Sequence, residues 1–75
     1  MDNIKDIMSD LGLKTGEEYD KSFLENMISH HEESRDMARQ ASNRANDDDL
    51  KQMAKDMASK YDQEIEQMRD MMDSM

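Results

Sequence analysis

Asn43-Arg-Ala-Asn-Asp-Asp-Asp49 is a short polar stretch that separates two long segments with a helical pattern of apolar residues. Asparagine and aspartate favour turns and helix N-caps, and acidic residues stabilise the first turn of a helix. We therefore expect one helix to end near Arg44 and the next to begin at about Asp48, with Asn46 or Asp47 as its N-cap. Two helices joined by so short a connection lie antiparallel.

Both flanking segments repeat apolar or small residues on one helical face. In the segment 17–44 these residues are Phe23, Leu24, Met27, Ile28, Met37, Ala38 and Ala41. In the segment 48–73 and just beyond it they are Leu50, Met53, Ala54, Met57, Tyr61, Ile65, Met68, Met71, Met72 and Met75. The periodicity predicts an all-α fold built on a long antiparallel helical hairpin.

The apolar pattern in the N-terminal part of the chain predicts one further, shorter helix. Its helically spaced apolar residues are Ile4, Ile7, Met8 and Leu11, which place a helix over 3–11 that ends at Gly12. Thr15-Gly-Glu-Glu18 then matches a capping box, in which the Thr15 hydroxyl and the Glu18 carboxylate bond backbone N–H groups of a new helix. We expect a single helical domain over 1–75.

Size limits how stable this hairpin is alone. Ordering roughly 60 residues at about 1.5 kcal/mol each costs on the order of 90 kcal/mol, which the few large apolar residues of one hairpin do not offset. We therefore expect a partner chain, a metal or both. A homodimer that forms a four-helix bundle is the simplest partner arrangement.

Charge excludes two classes of partner. The chain has 19 acidic and 10 basic residues, a net charge of -9, whereas nucleic acids and anionic membrane surfaces require a basic footprint. No stretch approaches the roughly 20 apolar residues of a membrane span, and the first residues lack the apolar core of a signal peptide. We expect a soluble protein without membrane insertion, whether whole or the mature part of an exported one.

A cluster of soft ligands lies in the first long segment. Met27, His30 and His31 fall within one helical turn, in a chain with 10 methionines and no cysteine. Thioether and neutral imidazole together favour copper, and Cu(I) in preference to Cu(II). These three residues are the first predicted copper ligands, although a histidine at the edge of a helical stripe is also commonly a hydrogen-bonded filler.

The position of the turn sets what faces this cluster. A turn centred near Asn46 pairs Met27, His30 and His31 with the layer of Tyr61, Glu64 and Ile65, and places Met57 and Met68 about one layer to either side. Met68 completes the predicted ligand set. Glu64 and Tyr61 are expected outside that set, as hydrogen-bond partners of a ligating imidazole.

Other methionines have two interpretations. Met57, Met71, Met72 and Met75 are further candidate copper ligands, but methionine is also a flexible gap-filler and the C-terminal spacing is that of a heptad stripe for burial or dimerisation. Met37, Met53 and Met57 are expected to serve the core more than a metal.

Catalytic motifs are missing from the sequence. A ferritin-like di-iron site needs Glu-x-x-His pairs, which the chain lacks, and His31-Glu-Glu-Ser-Arg35 has arginine where a zincin motif has its second histidine. There is no glycine-rich phosphate loop, calcium loop or cysteine nucleophile. We expect no enzymatic activity.

Phe23-Leu-Glu-Asn-Met27-Ile28-Ser-His30-His31, together with the residues up to about position 72, resembles a known family. It is the CopM-like family of domains of unknown function, small His- and Met-rich helical proteins with a Met-x-x-His-His signature. The resemblance implies a ferritin-like architecture, export to the periplasm or outside the cell, and the copper binding of some members. The chain departs from the family pattern at Glu32-Glu33-Ser34, Tyr61 and Met71, but retains Met27, His30, His31 and Met68.

Two functions follow as alternatives. The first is copper sequestration or delivery, without catalysis, through the His and Met cluster. The second is a structural or protein-interaction module whose Met-rich face packs against a partner helix without metal. A remnant of a ferritin-like oxidoreductase is a third interpretation, which the missing Glu-x-x-His pairs disfavour.

Overall fold

Two long helices form an antiparallel hairpin in the computed structural model, which describes residue 12 and residues 15–75. Helix α1 runs over Gly16–Arg44 and helix α2 over Asp48–Asp73. Over these described residues the chain has no strand, so the predicted all-α hairpin is confirmed. The short helix predicted over 3–11 lies outside the described residues.

The connection between the helices follows the chemistry of its polar residues. Ala45 ends α1, and its N–H donates to the Ala41 carbonyl at 2.9 Å. Asp47 is the N-cap of α2, where its side chain accepts a hydrogen bond from the Leu50 N–H at 2.8 Å. Asp48 and Asp49 lie in the first turn, next to the positive end of the helix dipole. The prediction of a cap at Asn46 or Asp47 is confirmed, at Asp47.

The opposite end of the hairpin differs from its prediction. Thr15 is the N-cap of α1, but its side chain makes no capping hydrogen bond. The predicted capping box is therefore wrong at Thr15. Gly16 has a φ of 61°, a left-handed conformation that residues with a Cβ rarely adopt. The first residue of α1 therefore has a backbone conformation that differs from that of an ordinary helical N-terminus.

The core between the helices is thin. Its buried apolar residues are Leu24, Ile28, Ala38, Ala54, Ala58 and Ile65. Three of these six are alanines, and no large side chain of the described residues is completely buried. The alanines let the two helices approach closely, but they remove little apolar surface from water.

Three methionines lie outside this core. Met37, Met53 and Met57 expose 61%, 58% and 43% of their surface, so the prediction that they fill the core is wrong. Each stands immediately before a buried alanine at positions 38, 54 and 58. Because consecutive helical residues are about 100° apart, placing the alanine in the seam turns the methionine outward.

Ion pairs join the two helices along one side of the hairpin. The Arg35 and Arg39 guanidinium groups donate to the Asp62 carboxylate at 3.1 and 3.0 Å, and Arg69 donates to Glu32 at 3.1 Å. Hydrogen bonding to Asp62 raises the pKa of Arg35 above its ordinary value. Each exposed pair contributes little free energy, but all three join α1 to α2 and favour one register.

No helix within the described part of the chain has the length and apolar character needed to cross a membrane.

Candidate metal centre

His31 lies between the helices near the middle of the hairpin. Its Nδ1 is 2.9 Å from the Met27 carbonyl oxygen, and its Nε2 is 2.7 Å from Glu64 Oε2. The imidazole also packs at right angles to the Tyr61 ring, with centroids 5.5 Å apart and planes at 89°. The predicted layer, in which His31 faces Tyr61 and Glu64, is confirmed.

The two ring nitrogens of His31 face oxygen acceptors. A carbonyl oxygen only accepts, so Nδ1 carries a proton and donates it to Met27. An ionised carboxylate also only accepts, so the Nε2 contact requires a second proton, on the ring or on Glu64. In this arrangement His31 has no free lone pair, and it binds a metal only by giving up one of these contacts.

The Met27 carbonyl is the partner that sequence reasoning missed. Glu64 was predicted as the oxygen that orients a ligating imidazole, and it does bond His31. The second acceptor is a backbone atom one helical turn before the histidine. A backbone carbonyl is present at every position, so no residue type in the sequence could indicate this contact.

His30 has the opposite environment. Its Nδ1 is buried and has no hydrogen-bond partner. A buried polar atom without a hydrogen-bond partner lowers the stability of a protein by about 1–3 kcal/mol. The unpaired Nδ1 therefore destabilises the folded chain when no metal is bound. In its neutral form with the proton on Nε2, Nδ1 presents a lone pair, which is what a metal ligand requires.

Thioethers share one side of the hairpin with His30. Met27 lies three residues before it, and Met68 lies one turn after Glu64 on the facing helix; both methionines are half-buried. Met57, Met71 and Met75 are more exposed, at 43%, 55% and 48%. This side of the seam therefore carries five of the predicted thioether ligands and one imidazole with an unpaired nitrogen. The structure does not bring all five together, since Met57 and Met71 are 14 residues apart on α2, about 21 Å.

Met72 lies apart from the other candidates. It lines a groove with Ile28, Arg69 and Asp73, and Arg69 belongs to the charged side of the hairpin. Met71 and Met75 instead line a groove with Tyr19 and Phe23. The structure thus separates Met72 from the side that holds His30.

The donor set fits a soft metal better than a hard one. Among the described residues, no group of three or more His, Asp or Glu side chains is placed to hold a metal ion. What the His30 side offers is imidazole nitrogen and thioether sulfur, in a partly buried setting. Low-coordinate N and S ligation suits Cu(I), whereas Mg²⁺ and Ca²⁺ require several oxygens.

Residues 3–72 match the profile of a protein family described as a domain of unknown function, DUF305. No curated protein and no solved structure matches the chain.

Proposed function

We propose, from the premise that this chain belongs to the DUF305 family of helical domains, that it is a copper-binding protein. Cu(I) is the expected ion, and sequestration or delivery is the expected role, without catalysis. Within the family we place the chain among the CopM-like, His- and Met-rich members. This assignment depends on its Met-x-x-His-His sequence at Met27, His30 and His31.

The observation that carries the proposal is the buried, unpaired Nδ1 of His30. Burial of an imidazole nitrogen without a partner destabilises the metal-free protein, and coordination of a cation to that nitrogen removes the penalty. The neighbouring side chains are thioethers, which bind Cu(I) without being deprotonated. A soft cation is therefore the ligand that best matches this nitrogen and the thioethers on the same side.

The proposed ligands are His30, Met27 and Met68, with Met57, Met71 and Met75 on the same side as further thioethers. His31 joins them when it exchanges one of its two oxygen partners for the metal, which either displaces a proton from the ring or breaks the hydrogen bond that a protonated Glu64 donates to it. Glu64 and Tyr61 hold the His31 ring in its plane. Met72 stays a candidate ligand only if the end of α2 rearranges.

The proposed assembly is a homodimer in which two hairpins form a four-helix bundle of ferritin-like architecture. The support is the thin core, which leaves Met37, Met53, Met57 and Leu50 exposed in a single hairpin. A second hairpin would cover these side chains.

Copper binding is tested by competition between the protein and a colourimetric Cu(I) chelator. The wild type should withdraw Cu(I) from the chelator, and bound copper should raise the melting temperature. His30→Leu should lose most of the copper affinity. It should also stabilise the metal-free chain by about 1 kcal/mol, because it removes an unpaired buried nitrogen.

The matched control is the double variant Met37→Leu with Met53→Leu, which removes two exposed thioethers away from His30. It should bind copper as the wild type does. If the double variant His30→Ala with His31→Ala keeps the copper-induced rise in melting temperature, the proposed site is wrong.

A second function is favoured by the His31 contacts. Both ring nitrogens of His31 are already satisfied by protein oxygens, as in a structural helical module that packs its Met-rich side against a partner without metal. In that case replacing Met68, Met71 and Met72 by leucine leaves assembly intact and the melting temperature is insensitive to copper. A copper function that uses these thioethers is weakened by the same replacement.

A further inference from the structure

One side of the hairpin is an apolar face made of two rows of side chains. On α1 the row is Phe23, His30 and Met37, and on α2 it is Leu50, Met57, Glu64 and Met71. Members of each row are seven residues apart, which returns a helix to nearly the same direction. All the apolar members of both rows are exposed.

The two rows lie on the same face of the hairpin. Phe23 and Met71 line one groove of about 490 Å³ near the chain ends. Met37, Leu50 and Met57 line another of about 240 Å³ near the turn. The ion pairs of Arg35, Arg39 and Arg69 are made on the other side. Within the two rows, the only members that are not apolar are His30 and Glu64.

His30 lies at the midpoint of the α1 row. It is the middle residue of α1, which runs over Gly16–Arg44, and apolar side chains lie in its row on both sides. When two faces meet around a two-fold axis that crosses the helices at this layer, α1 of one copy lies antiparallel on α1 of the other. In that arrangement the two His30 residues meet at the axis.

The face has the size of an interface between two copies. A helix of 29 residues is about 43 Å long, and two helices side by side are about 20 Å wide. This is the area of the whole side of the hairpin that carries the face, flanking polar residues included, and it is close to the roughly 800 Å² per partner of a standard specific interface. The scarcity of buried large side chains within one hairpin supports the same occupant, because a second apolar face would complete the core.

We infer that a second copy of this chain covers the apolar face and that His30 of that copy completes the metal site. One chain offers a single imidazole there, whose Nδ1 is buried and unpaired and reaches the face by a turn of the ring, and no set of three His, Asp or Glu ligands exists within its described residues. Two apposed chains offer two imidazoles flanked by thioethers from both. The shared site builds on the proposed copper function, whereas the apposition of the two faces does not depend on it.

Apposition is tested with a single introduced cysteine, because the chain has no cysteine of its own. Full-length His30→Cys protein is oxidised without metal and resolved on a non-reducing gel. The disulfide-linked dimer should be the main product. Glu66→Cys, an exposed position displaced toward the charged side of α2, is the matched control and should remain largely monomeric on the gel.

Sedimentation equilibrium of the wild type should give a dimer in the absence of metal. A monomer at all concentrations, as would result if residues 1–14 of the same chain covered the face, overturns the inference. Equal cross-linking of the His30→Cys and Glu66→Cys variants overturns it as well.

Copper stoichiometry separates this inference from the proposed function. A shared site predicts one tightly bound Cu(I) per two chains at the His30 layer, lost in His30→Leu. One Cu(I) per monomeric chain, also lost in His30→Leu, overturns the shared site and keeps copper binding. If the His30→Cys variant cross-links specifically but the wild type binds no copper, the proposed function is wrong, and so is the metal role of the two His30 residues. The inference that two copies meet through their apolar faces would then still stand.

Discussion

At the scale of single residues, two adjacent histidines have opposite environments. The His31 ring is held by a carbonyl on its own helix, a carboxylate on the facing helix and an aromatic ring at right angles to it. The buried nitrogen of His30 has no hydrogen-bond partner. Because adjacent helical residues point about 100° apart, His31 enters the seam between the helices while His30 joins the apolar face.

The contact between His31 and Glu64 predicts a stability difference. Glu64→Gln keeps the size of the side chain and still hydrogen-bonds the imidazole, but replaces a charge-assisted bond by a neutral one. We expect the free energy of unfolding to fall by about 1 kcal/mol, measured by urea denaturation. Glu66→Gln, at an exposed neighbouring position, is the control and should change it by less than about 0.5 kcal/mol. Equal effects of the two variants would contradict the contact.

At the scale of the helices, the two N-termini are built differently. The α2 N-terminus has a side-chain cap and two further acidic residues in its first turn. The α1 N-terminus has threonine at the cap position without a capping bond, followed by a glycine with positive φ. The turn that closes the hairpin is therefore fixed by local chemistry, whereas the beginning of α1 lacks a side-chain cap.

This difference predicts unequal costs for removing the two caps. Asp47→Ala should lower the free energy of unfolding by about 1 kcal/mol, because the Leu50 N–H loses its acceptor. Thr15→Ala should change it by less than about 0.5 kcal/mol, since no capping bond is lost. Both values come from denaturation of the single variants followed by circular dichroism. A larger loss for Thr15→Ala than for Asp47→Ala would refute this comparison.

At the scale of the whole molecule, the described hairpin resembles half of a bundle. One side is joined by ion pairs between the helices, and the other exposes methionine, leucine and aromatic side chains. Half of the buried residues in the seam are alanines. In the proposed homodimer, the second copy would cover the exposed apolar side.

Association predicts that stability depends on concentration. The melting temperature should rise over a roughly hundredfold increase in protein concentration, because assembly stabilises the folded chain by mass action. Met53→Lys places a charge in the groove that Met53 lines with Met37 and Leu50 of the apolar face, and should lower the melting temperature and abolish this dependence. Gln63→Lys adds the same charge at an exposed position of α2 away from the face, and should retain it. A melting temperature independent of concentration in the wild type would exclude association as a source of stability.

For much of the candidate site, the sequence predicted which residues lie close together. The position of the polar turn sets the register, so His31 opposite Tyr61 and Glu64 followed from counting residues. The hydrogen bonding of each histidine could not be predicted in this way. It depends on the exact direction of the side chain around the helix axis, which counting residues does not give. That is why the occupied nitrogens of His31 and the unpaired nitrogen of His30 became visible only in three dimensions.

The sequence by itself determined the two helices, the turn between them and a cap at Asn46 or Asp47, because these depend on periodicity and on hydrogen bonds between residues close in the chain. Only the tertiary structure decided which small residues enter the seam. Each of Met37, Met53 and Met57 competes with the alanine that follows it for the inward position. The close approach of the helices gives that position to the alanine, and so leaves these three methionines exposed at the apolar face, between His30 and the turn.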